Sequence, residues 1–131
     1  MILAVVEDLL FLSKIQQTAQ QLGLAVKSAQ PADLPDLAGK DVPNALIIDL
    51  NHRSGKALEV LRTLKSSSKT KGIAVIGFVS HVQTELIAAA REAGCDLVLA
   101  RSAFLGQLPS LLRRFSGPKR EDGAGATGFS S

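Results

Sequence analysis

Three carboxylates in this chain stand where they could do chemistry. Glu7 and Asp8 follow the apolar run "ILAVV" at 2–6, and Asp49 follows a second run, "ALII" at 45–48. An unpaired carboxylate is costly to bury, so an acid directly behind a buried strand must reach the rim of a sheet, find cations or react. If the two strands end side by side the acids converge, and their repulsion is tolerated only with a cation between them or with a proton retained. A hard divalent ion meets that need, because Mg²⁺ takes oxygen ligands, keeps several waters and is commonly held by one or two carboxylates. Helix-start chemistry is an alternative for Glu7 and Asp8, since acids beside a first turn are favoured by its exposed amides and dipole. It explains Asp49 poorly.

The elements that must position these residues are legible as a repeating pattern. Continuous apolar runs at 2–6, 23–26, 45–48, 73–79 and 97–100 suit strands buried on both faces. Between them apolar residues recur at helical spacing. Phe11, Ile15, Ala19 and Leu22 form one such set, with Gly23 as a stop. Ala57, Val60 or Leu61, and Leu64 form another; Leu86, Ala89 or Ala90, and Ala93 precede Gly94; Leu105, Leu108, Leu111 or Leu112, and Phe115 complete the series. The segment "PADLPDLAG" is the weakest, starting at Pro31 and predicted to be short or partly irregular. Alternating strands and helices predict an α/β fold, a doubly wound five-stranded parallel sheet with helices on both faces. Its site belongs at the carboxyl ends of the strands, where the winding reverses.

Composition narrows the function classes. The chain has 131 residues, 46% hydrophobic and 21% charged, which suits one globular domain over 1–116. The Gly-rich stretch "GPKREDGAGATGFSS" at 117–131 reads as a disordered C-terminal tail. The opening "MILAVVED" is too short in apolar residues for a signal peptide or a membrane span, so a cytoplasmic location and no membrane are expected. Cys95 is the single cysteine, which excludes an internal disulfide and leaves no zinc spacing; a small buried filler is expected. Basic residues gather at Arg53, Lys56, Arg62, Lys65, Lys69 and Lys71 against Glu59 alone. With no Trp or Tyr there is little to stack bases on, so this reads as a solvated face or a docking surface for an acidic protein, not a nucleic-acid site.

Taken in order, "ILAVVEDLLFLSKI", "PNALIIDLN" and "AREAGCDLVLARSAF" resemble the first strand, the third strand and the fourth helix with fifth strand of response-regulator receiver domains, the chemotaxis-type fold. The resemblance covers about residues 2 to 115 and implies the flavodoxin-like strand order 2-1-3-4-5. It implies that Glu7 and Asp8 are an acidic metal-binding pair and Asp49 the phosphoryl acceptor. Asn51 would lend its backbone carbonyl to the metal, Mg²⁺. Arg101 falls where the family has a lysine that meets the phosphoryl group; a plain salt bridge to the acids is the alternative.

Several positions depart from that family. The hydroxyl residue at the end of the fourth strand aligns with Val79, which has no donor, and the adjacent Ser80 should face away because strand side chains alternate. The aromatic switch residue of the fifth strand aligns with Val98, stiff at χ1 and too short to swing. Ser102 and Ala103 follow Arg101 in place of a cis proline, so a trans bond is expected, a cis bond without proline costing about 2.5–4 kcal/mol. His81 at the strand end is either a solvent-facing loop residue or a proton carrier lining the site, and His52 has the same two readings.

The resemblance implies a stand-alone, atypical receiver domain in two-component signal transduction. It would bind a signalling protein, a histidine kinase being one candidate, through the face of its fourth and fifth helices. In one version it accepts a phosphoryl group at Asp49 with Mg²⁺. In the other it is a phosphorylation-independent pseudo-receiver or oligomeric scaffold such as a homodimer, and the altered switch positions favour this second version. No enzymatic activity is expected beyond autophosphorylation from a phosphodonor. The rival class is a small-molecule-binding enzyme of flavodoxin-like fold. A flavin phosphate would need a hydroxyl- and glycine-rich loop after the first strand, where this chain has "EDLLF".

Overall fold

In the computed structural model, which describes residues 1–80 and 83–116, five strands pair in parallel. They are β1 (Ile2–Val5), β2 (Val26–Ser28), β3 (Ala45–Asp49), β4 (Ala74–Val79) and β5 (Leu97–Ala100), in the order β2-β1-β3-β4-β5. This is the doubly wound receiver topology. His81 and the expected tail at 117–131 lie outside the described residues.

β1 and β3 are buried along their whole length and β4 nearly so, which is why they read as unbroken apolar runs instead of alternating ones. The helices α1 (Leu9–Gln21), α5 (Arg101–Gly106) and α6 (Leu108–Ser116) cover one face, packing on Ile2, Ala4, Ile47, Ile76 and Phe78. On the other face α2 (Leu34–Lys40), α3 (Ala57–Ser66) and α4 (Thr84–Glu92) cover Leu3, Val5, Leu46, Ile48, Val75 and Val79. Each large apolar side chain removed from water in these two layers stabilises the fold by about 1.5–3 kcal/mol. A short 3₁₀ turn, Pro31–Asp33, leads into α2, the irregular start anticipated there.

Two elements differ from the sequence reading. The second strand begins at Val26, not at Gly23, because the run "GLAV" is used to end α1. Gly23, at a φ of 73°, donates to the Gln20 carbonyl, and Leu24 donates to that of Ala19. That double bond pattern closes the helix and delays the strand. The last helical pattern is two helices, not one. Pro109 has no N–H to give and its ring would press on the carbonyl of Leu105 in a continuous helix, so the chain breaks at Gln107 and restarts.

Gly77 sits in the middle of β4 because its neighbours leave no room. A Cβ there would stand 2.8 Å from Leu50 Cδ1 and 2.9 Å from Cys95 Sγ. Cys95 is the buried filler expected, and burial pushes its thiol up to about 11, which keeps it protonated and inert at neutral pH. At the rim far from the acids, Lys65 Nζ donates to the carbonyls of Lys71 (3.0 Å) and Ile73 (2.7 Å). Asp96, 3.7 Å from Lys65, accepts the Val75 N–H at 2.7 Å, so the clasp ties the entries of β4 and β5 to the end of α3. Among the described residues no helix is long and apolar enough to cross a membrane.

Candidate functional site

The sheet register brings the acids to one rim. β1 pairs with β3 from Ile2↔Ala45 to Val5↔Ile48, so the chain leaving β1 through Glu7 and Asp8 emerges beside the end of β3 at Asp49. This is the point where the winding reverses. Arg101, first residue of α5, follows β5 directly and arrives at the same rim.

Asp8 is the N-cap of α1. Its Oδ1 accepts the N–H groups of Leu10 (2.9 Å) and Phe11 (3.2 Å), and its Oδ2 accepts from Arg101 at 2.6 Å. The Arg101 bond, then the Phe11 amide, hold its carboxyl below the usual carboxylate range. Helix-start chemistry and membership of the acidic rim therefore describe the same residue. Arg101 is held a second time, its guanidinium lying 4.4 Å over the ring of Phe11. That ring rests on Phe78 at 4.6 Å and Phe104 at 5.7 Å, so the core fixes the platform on which the cation sits.

Glu7 turns the other way. Its Oε1 accepts the backbone N–H of Arg53 at 2.9 Å and its Oε2 lies 2.6 Å from Arg53 Nε. Asp49 is buried, and burial pushes its carboxyl above the usual range; the Asn51 amide, donating to Oδ1 at 2.9 Å, and the charge of His52 work against that, while Glu7 adds to it.

The side chain of Asn51 is engaged as well as its backbone amide. Oδ1 accepts the Ser80 N–H at 2.7 Å and Nδ2 donates to Gln83 Oε1 at 2.6 Å, which staples the loop after β3 to the loop before α4. Val79 is buried in the apolar layer under α3 and α4 and offers no donor, and Ser80 is exposed. Val98 is half-buried against that same layer. No cis peptide bond occurs among the described residues, so the bond after Arg101 is trans. His52 bonds within its own loop, to Ser54 at 3.0 Å.

The metal grouping expected of Glu7, Asp8, Asp49 and the Asn51 carbonyl is not assembled in this conformation. Among the described residues no three His, Cys, Asp or Glu side chains come together as a metal-holding set. The reason is local: both oxygens of Glu7 and both of Asp8 are engaged, Glu7 by the side chain and backbone amide of Arg53 and Asp8 by Arg101 and two backbone amides. A divalent ion does not fit the donor set as it stands. Sequence reasoning missed Arg53, Phe11 and Gln83. Only Arg53 left a trace, as a cation in the loop after Asp49.

No protein-family model matches the sequence, and no curated protein matches it. Solved structures do match in three dimensions. One is a response regulator from Hahella chejuensis, with a TM-score of 0.78 at 12% identity, covering 87% of this chain and 92% of that one. The fold is that of receiver domains. A two-component response regulator from Legionella pneumophila gives a TM-score of 0.75 at 15% identity over 87% of this chain and 95% of its own. The receiver domain of a sensor histidine kinase from Pseudomonas aeruginosa, crystallised with a magnesium ion in its active-site cleft, gives 0.75 at 16% identity over 87% and 94%.

Proposed function

We propose that this chain is a receiver-type signalling domain of the cytoplasm that works by binding a protein partner, in a form that does not depend on phosphorylation. The observation that carries the reading is the meeting of Asp49, Asp8 and Arg101 at one rim of a receiver fold, with Asp8 and Arg101 already joined at 2.6 Å. The cation at the end of β5 is engaged with an acid of its own chain. Val79 supplies no hydroxyl for a phosphoryl oxygen and Val98 supplies no aromatic read-out. The partner, a histidine kinase or another signalling protein, would meet the face of α4, β5 and the α5–α6 pair that together make up the fifth helical segment. Leu86, Ile87, Leu97 and Leu105 are only partly covered there. A homodimer through that face is the simplest assembly.

Incubation with Mg²⁺ and acetyl phosphate, followed by intact mass measurement, tests the mode of action. The expected result is an unmodified chain. A phosphoryl adduct that disappears in Asp49→Asn would overturn phosphorylation independence and leave an Mg²⁺-dependent phosphoryl shuttle. That second reading is favoured by one observation, the placing of Asp49 at the carboxyl end of β3 beside the two other acids.

A further inference from the structure

We propose that the guanidinium groups of Arg53 and Arg101 stand in for a divalent cation at this rim, so that the acids are neutralised from within the chain and the site is closed to metal. The inference rests on the receiver-type reading of the rim and names what controls it. Three carboxylates at one edge need compensating charge. Here it arrives from two directions: Arg53 takes Glu7 with its Nε at 2.6 Å and its backbone N–H at 2.9 Å, and Arg101 takes Asp8 at 2.6 Å. Charge-assisted bonds of this length are the strong kind, and a guanidinium matches a carboxylate in shape as well as charge.

Arg101 is more than a surface partner. Its place over Phe11, backed by Phe78 and Phe104, gives it a seat that does not depend on Asp8 alone. Asp8 is in turn fixed by the two amides of α1 that its other oxygen accepts. Both members of the pair are thus held from behind. Mg²⁺ demands near-ideal octahedral geometry and gives up its waters reluctantly, so it competes badly against partners already in place. Glu7 and Asp8 are drawn apart, one toward the loop after β3 and the other toward α5. The position that the family fills with lysine becomes, in Arg101, the lock on the metal pocket.

The test is a gain of binding. Isothermal titration of the full chain with MgCl₂ and with MnCl₂, with no phosphodonor or partner present, is compared for wild type, Arg53→Gln, Arg101→Gln and the double variant. Wild type is expected to give no saturable heat at millimolar metal. Each substitution should tighten apparent binding by about two- to fivefold, the scale of one solvent-exposed ion pair. The double variant should show one site, lost again when Asp49→Asn is added. Saturable binding by wild type equal to that of the double variant would overturn the proposal, as would a folded double variant that binds no metal. If the double variant does not fold, Arg53→Gln decides alone, since its side chain is 85% exposed and its loss leaves the core untouched; unchanged binding in that variant would also refute the lock. Failure of the signalling reading would appear in phosphoryl transfer or partner binding, which this titration does not measure.

Discussion

Replacing Gly77 by alanine adds one carbon at the centre of the sheet, and the structure states what it would meet. The new Cβ would stand 2.8 Å from Leu50 Cδ1 and 2.9 Å from Cys95 Sγ, closer than real Cβ contacts come, and 3.0 Å from Leu50 Cγ, at the tight end of what they show. Neither neighbour can retreat to solvent, since Leu50 is 5% and Cys95 6% exposed. Overpacking of this kind costs about 1–3 kcal/mol. At this chain length each kcal/mol lowers the melting temperature by about 3–5 °C, between the values for smaller and larger domains. Urea denaturation with Gly77→Ala, Cys95→Ala and the pair together gives the decisive comparison. Removing the sulfur vacates one of the three contacts, so the pair should be more stable than the sum of the single effects, a coupling expected of residues in contact. Gly39→Ala in α2 is the counterpart, with nothing within 4 Å of the added carbon, and should stabilise by about 0.5–1 kcal/mol. A Gly77→Ala protein within 0.5 kcal/mol of wild type, or simple additivity with Cys95→Ala, would refute the close packing of β4 against the residue that follows Asp49; the threshold is about the scatter of neutral surface substitutions.

Two further outcomes follow from single side chains. Burial raises the Asp49 pKa above its ordinary 3.8, so its charged form suits the folded chain less well than the unfolded one. Its contribution to stability is therefore greatest in acid and declines as pH rises from that value through the folded pKa. Asp49→Asn keeps the acceptor for the Asn51 amide and should be more stable than wild type at neutral pH, with the gap closing toward acid. Parallel melting curves for the two proteins from acid to neutral pH would contradict this. Lys65→Met withdraws the donor that two backbone carbonyls share at the opposite rim, and should cost about 1–3 kcal/mol in chemical denaturation.

The central strands were legible in the sequence because a parallel strand covered on both faces has no polar side to disguise it, as in "ALII" at 45–48. β2 was not, being an edge strand whose Lys27 and Ser28 are exposed and whose preceding apolar residues close α1. The break at Gln107 was hidden because α5 and α6 bury the same side, so Phe104, Leu108, Leu111 and Leu112 keep helical spacing across it. At the site, the rim on which Glu7, Asp8 and Asp49 meet follows from strand order and could be anticipated. The choice of partners could not. Arg53 meets Glu7 across 46 positions and Arg101 meets Asp8 across 93, contacts set by how loops approach in space and not by any local period.

The carboxamide of Asn51 joins two loops that belong to different strands. Its own amide is docked on Asp49, while its side chain grips Ser80 and Gln83, the latter immediately ahead of α4. Anything that drags the beginning of α4 outward must therefore sever those short bonds or haul the peptide behind Asp49 along with it. A visitor on that flank that displaced the start of α4 would therefore pull on the same peptide that holds the buried acid.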